Sequence, residues 1–132
     1  MERSVLFVFA LVAVYIGLSS SQFTNEEYVY VKLNETAEIP LPAVANYRRT
    51  VKNAKYENED HLYRVCNGKN KGKCGFWENV KTKKKVASGA TTYNKNKKAL
   101  IVKNIKEFDF GTYMTGDKKK SMGVIKFNLK GR

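Results

Sequence analysis

The chain has 132 residues, enough for one domain with one modest core and too few for two. Lysine and arginine number 25 against 12 acidic residues, which gives a formal net charge of +13. One histidine and two cysteines are too few for a zinc centre of ordinary spacing, and no Gly-rich phosphate loop or nucleophile motif accompanies them, so an enzyme is not expected.

The chain opens with a basic residue, Arg3, then an uncharged apolar run over 5–18, then Ser19-Ser20-Ser21. That order reads as a secretory signal peptide over residues 1–21, with cleavage expected between Ser19 and Phe23. An uncleaved anchor is the alternative. The run falls short of the roughly 20 apolar residues that span a bilayer, and no basic stop-transfer cluster follows it. The mature domain is therefore expected over 22–132, exported and without a transmembrane segment.

From Tyr28 onward the chain alternates as antiparallel strands do. Tyr28-Val29-Tyr30-Val31-Lys32-Leu33 is a first strand, and Asn34-Glu35 turns it. Asn34-Glu35-Thr36 is an N-glycosylation sequon, and an exposed turn of an exported chain favours its use. Ala37, Ile39 and Leu41 share one face of the second strand, while Pro40 and Pro42 place it at an edge or end it early. Tyr47-Arg48-Arg49-Thr50-Val51 is a third strand. Polar residues 53–60 read as a loop, which makes Glu57, Glu59 and Asp60 solvated acids and His61 a solvated loop histidine.

Leu62-Tyr63-Arg64-Val65-Cys66 and Gly75-Phe76-Trp77-Glu78-Asn79-Val80 then flank residues 67–73 as a hairpin. In an oxidising compartment the default for Cys66 and Cys74 is a disulfide closing that loop. Metal binding competes poorly, because His61 adds only a third ligand. After a basic stretch over 81–89 come Thr91-Thr92-Tyr93, a turn over 94–98, and Ala99-Leu100-Ile101-Val102-Lys103-Asn104-Ile105. The last strands are Thr112-Tyr113-Met114-Thr115 and residues 124–129, joined by a basic turn over 116–121. Many short strands with regular turns predict an all-β sandwich.

Residues 100–113 end in Asp109-Phe110-Gly111-Thr112-Tyr113, and this segment resembles the E-to-F region of immunoglobulin domains. The resemblance implies an immunoglobulin-like antiparallel β-sandwich with 37–41 as strand B and 124–129 as strand G. It also implies a tyrosine corner, with Tyr113 buried, its hydroxyl on a backbone group, and Gly111 relieving the bend. The family's inter-sheet disulfide is absent, since Leu41 and Thr115 stand at its positions. Tyr47 or Tyr63 would take the place of the strand C tryptophan, and Trp77 is not assigned that role. A bridge from 41 to 115 would contribute roughly 4.5 kcal/mol of chain entropy, whereas one from 66 to 74 contributes about 2.6 kcal/mol, so the observed pair acts mainly on its own loop. The chain resembles the small secreted one-domain immunoglobulin-like proteins of nematodes.

The lysines cluster in turns: Lys69, Lys71 and Lys73 inside the disulfide loop, Lys81, Lys83, Lys84 and Lys85 after the hairpin, Lys95, Lys97 and Lys98 in the D–E turn, and Lys118, Lys119 and Lys120 in the F–G turn. Each run alone is a solvated turn. If the turns share one end of the sandwich they form a polyanion-binding surface, and the strand order decides that. The expected function is a secreted recognition module without a cofactor, whose partner is an extracellular protein or anionic glycan rather than nucleic acid. Two further classes are a glycosaminoglycan-binding matrix component and a cationic defence protein, the latter lacking the amphipathic basic helix it would use. Nothing in the sequence sets an oligomeric state.

Overall fold

The structure is a computed structural model and describes residues 27–128. The expected signal peptide, its cleavage site and Leu129 lie outside the described residues. Within them are nine strands: β1 (Tyr28–Val31), β2 (Ala37–Pro40), β3 (Asn46–Lys52), β4 (Asn58–Arg64), β5 (Trp77–Asn79), β6 (Thr91–Asn94), β7 (Ala99–Val102), β8 (Gly111–Thr115) and β9 (Ser121–Lys126). One 3₁₀ turn, Glu107–Asp109, precedes β8. They form a six-stranded sheet in the order β1-β9-β8-β3-β4-β5 and a three-stranded sheet in the order β2-β7-β6. All pairings are antiparallel except that of β1 with β9.

The sequence pattern explains the layers. β7 is apolar at every position and buried at every position, as the central strand of a small sheet must be. β2 alternates, with Ala37 and Ile39 inward and Glu38 and Pro40 outward, and it lies at an edge and stops at its proline. In β3, Tyr47, Arg49 and Val51 point inward. The core between the sheets joins Tyr47, Tyr63, Trp77 and Tyr113 from one side to Ile39, Leu100 and Val102 from the other, with Leu41 and Ile105 closing its ends.

Each large aromatic of the core has a partner for its polar atom. Tyr47 donates to the Pro42 carbonyl at 2.6 Å, Tyr63 to the Thr91 carbonyl at 2.7 Å, and the Trp77 indole to Thr91 Oγ1 at 2.9 Å. Satisfied in this way, they contribute area without stranding a donor.

Three expectations are corrected. Residues 58–60 are strand rather than loop, because Lys52 pairs with Asn58 and the chain turns tightly over 53–57. Asn53 Oδ1 accepts the Lys55 and Glu57 amides there, so Glu59 and Asp60 occupy ladder positions despite their charge. His61 consequently lies inside β4 and is 3% exposed, not solvated. The last strand begins at Ser121, since a tight turn closes through the Thr115 amide and the Lys120 carbonyl.

Strand direction fixes where the turns lie. β3, β5 and β9 run one way and β4 and β8 the other, so the β4–β5 loop and the β8–β9 turn share an end, the end where β3 begins. The short link over 41–45 brings the end of β2 to that same place, and Pro40 pairs with Ala99, which puts the β6–β7 turn there too. The β1–β2 and β3–β4 turns and the segment over 103–110 lie at the opposite end.

Candidate functional site

The topology gathers three of the four lysine-rich segments. Lys69, Lys71 and Lys73, Lys95, Lys97 and Lys98, and Lys118, Lys119 and Lys120 all stand exposed at the end where β3 begins. The neighbouring 41–45 link is uncharged, and Asp117 is the one carboxylate in these turns. Asp117 accepts the Thr115 hydroxyl at 2.7 Å and the Lys119 amide at 3.0 Å. Those bonds, the Thr115 hydroxyl first, hold its carboxyl below the ordinary range. It shapes the turn while leaving the ammonium groups around it. Lys97 reaches Glu38 at 2.7 Å and Lys120 reaches Glu27 at 3.7 Å, both exposed pairs of the kind worth little in water.

The turns are ordered by the disulfide and by asparagine side chains bonded to the backbone rather than by their lysine side chains. Cys66 and Cys74 form the disulfide, with Cα atoms 5.0 Å apart. Inside it Asn67 Oδ1 accepts the Lys69 and Asn70 amides, and Asn70 Nδ2 donates to the Val65 carbonyl at 3.0 Å. In the β6–β7 turn, Asn94 Oδ1 accepts the Lys97 amide. An end built in this way presents cations without having to order its backbone on binding.

The fourth segment is placed differently. After β5 the chain turns over 80–83 and folds back, with Glu78 bridged to Lys85 and the Val86 amide donating to the Trp77 carbonyl. Lys83 and Lys85 thereby come beside Lys73 of the disulfide loop, around Phe76, while Lys84 lines none of that cleft. The Lys85 ammonium lies 5.4 Å from the centre of the Phe76 ring.

At the opposite end, Asn34 is exposed in the β1–β2 turn at φ 70°, and its Oδ1 accepts from Lys106 Nζ at 3.1 Å. Behind it lies the corner. The Tyr113 hydroxyl donates to the Asp109 carbonyl at 2.6 Å, and burial pushes its phenol up to about 12, so it remains a donor. A Cβ on Gly111 would stand 2.2 Å from the Thr50 carbonyl oxygen, and this close approach requires glycine.

Sequence reasoning missed the group at the centre of this corner. Arg49, 1% exposed, donates from Nη1 to Asp109 Oδ1 and to the Tyr113 hydroxyl, both at 2.9 Å, and to Ser88 Oγ at 3.1 Å. Its Nε donates to His61 Nδ1 at 2.9 Å, and its guanidinium lies 4.4 Å over the Trp77 ring. Asp109 also accepts the Ser88 hydroxyl and the Gly89 and Lys106 amides. The available signal was an arginine at the inward parity of Tyr47 and Val51. The cluster is closed and paired, with no buried polar side-chain atom unsatisfied among the described residues. It ties β3, β4 and β8 of the larger sheet to the connecting segments at 88–89 and 106–109.

No family model matches the chain, and no curated protein matches it in sequence. Among solved structures, one that it is similar to is that of the extracellular domains of the voltage-gated sodium channel beta4 subunit, described as parallel homodimers that explain that protein's role in cell-cell adhesion. The identity is 11%, the TM-score is 0.41, and the alignment covers 83% of this chain and 93% of that one.

Proposed function

We propose that this chain is an exported, non-enzymatic binding domain of immunoglobulin-like type whose basic end holds an anionic glycan or an acidic extracellular protein. The fold assignment draws on strand order. β2-β7-β6 corresponds to strands B, E and D, and β9-β8-β3-β4-β5 to G, F, C, C′ and C″ of the nine-stranded variable type. Export draws on residues 1–21. The observation that carries the binding proposal is the convergence of three lysine-rich turns at one end, where like charges add to a single positive field.

Retention on heparin at rising salt tests it. Binding that releases condensed counterions makes log affinity fall linearly with log salt, by about 0.7–0.9 per neutralised charge in nucleic acids, and the same physics applies to other dense polyanions. Neutralising Lys118, Lys119 and Lys120 together should flatten that slope by up to about 2–3, and so should neutralising Lys69, Lys71 and Lys73. Lys32, Lys52 and Lys55, at the far end, should matter little when changed in the same way. Equal small effects from both ends would show a spread charge. Binding that persists at high salt would point to an apolar protein interface, and the polyanion proposal would fall.

A further inference from the structure

We infer that the cleft around Phe76, on the flank of the basic end, is a defined subsite for one sulfated sugar unit. The inference rests on the polyanion reading above and makes it specific. The cleft is open to solvent on one side, spans about 610 Å³ and is bordered by Arg64, Asn70, Lys73, Phe76, Glu78, Lys83 and Lys85. That volume lies within the roughly 300–1,000 Å³ typical of small-ligand sites and far exceeds what a bare sulfate fills. Its charges are unequal in a useful way. Glu78, its one carboxylate, is engaged by Arg64 Nη1 at 2.5 Å. None of Lys73, Lys83 and Lys85 is ion-paired among the described residues. Three unpaired lysines thus border a cleft whose own acid is offset by Arg64, so an arriving sulfate meets a net positive site.

The backbone around the cleft is held from three sides. The disulfide fixes the loop that carries Lys73, the Gly75 amide donates to the Arg64 carbonyl at 2.9 Å, and the Glu78–Lys85 bridge holds the returning segment. Phe76, half-buried, supplies an apolar wall for the C–H groups of a pyranose. It also holds the Lys85 ammonium over its face by a cation–π contact, which limits the rotamers Lys85 would otherwise lose on binding. Ammonium groups set beside an apolar ring match a ligand that carries sulfates on a pyranose with an apolar C–H face, and this favours a sugar over an acidic peptide whose carboxylates use the charges alone.

The test is titration of a trisulfated heparin disaccharide into the full mature chain, alongside retention on long heparin. Lys85→Gln and Phe76→Leu should each weaken the disaccharide about tenfold, the scale of one lost charge-assisted contact. Lys119→Gln, at the same end but outside the cleft, should change it less than about twofold. Phe76→Leu keeps apolar bulk; if it lowers the melting temperature, Lys85→Gln alone carries the comparison. Equal losses for Lys119→Gln and the cleft variants would overturn the subsite while long heparin is still retained, leaving the broader reading intact. Failure of the wild type to retain long heparin would sink both. Inorganic sulfate competing as well as the disaccharide, or a tetraglutamate peptide binding as tightly, would overturn the sugar assignment.

Discussion

A guanidinium that is 1% exposed is tolerated inside a sandwich only if its donors and its charge are answered, and Arg49 is answered by Asp109, Ser88, Tyr113 and His61. One consequence is a fixed tautomer. His61 Nδ1 accepts from Arg49 Nε, so the ring proton sits on Nε2 and is donated to Glu59 Oε1 at 2.9 Å. Burial first and then Arg49 pull the imidazole below its ordinary value of 6.5, together outweighing the upward pull of Glu59 and Asp109. Protonating Nδ1 would set two donors against each other beside the guanidinium. The folded state therefore binds fewer protons than the unfolded chain below about pH 6.5, and stability should fall as pH drops through that value. Glu59, held low chiefly by its bond to His61, adds a second loss as pH falls below about 4.5. Melting temperatures measured from pH 7.5 to 5 should decline, and His61→Gln, whose amide oxygen can still accept from Arg49, should flatten that decline. An unchanged slope would mean that His61 does not sense pH. Tyr113→Phe removes the donor to the Asp109 carbonyl and an acceptor from Arg49, and should cost about 1–3 kcal/mol. A denaturation midpoint that does not move would argue against the corner.

At the scale of elements, legibility followed locality. β7 was readable because four consecutive apolar residues need burial on both faces, and β2 because Pro40 falls on the outward parity at an edge and ends it. The hairpin bracketing the cysteines was likewise local, since the partners are near in sequence. The start of β4 was hidden because its first residues, Asn58, Glu59 and Asp60, are polar, and only pairing with β3 makes them strand. Glu59 and Asp60 are held there by cross-strand or turn partners, Asn53 at 3.3 Å and Thr50 at 2.7 Å. Trp77 was hidden for a similar reason. It comes from a three-residue edge strand, yet its ring packs edge-on to Tyr113 at 5.5 Å and tilted against Tyr63 at 5.3 Å. Contacts that span 14 to 64 residues of chain, such as Trp77 with Thr91 or Arg49 with Tyr113, leave no local pattern to read.

At the scale of the molecule, the lysine clusters were visible in the sequence while their meeting was not, because the end at which a turn lies depends on every strand direction before it. The same topology sets Asn34 apart from the lysine turns. Its turn is tied to the segment over 103–110 by the Asn34 amide on the Ile105 carbonyl and the Ile105 amide on the Glu35 carbonyl, at the far end of the sandwich. Strands of seven residues place that end about 20 Å or more from the lysine turns. A glycan on Asn34 should therefore leave the basic end open. Expressed through a eukaryotic secretory pathway, the chain should lose mass on treatment with peptide N-glycosidase, and Thr36→Ala should abolish that loss. Thr36 is the better position to change, because Asn34 sits at φ 70°, a conformation that asparagine tolerates and most other residues do not. Elution from heparin should be the same with and without the glycan. No mass change would mean the sequon is unused, whereas a shifted elution would place glycan and lysines on one face, contrary to the strand directions.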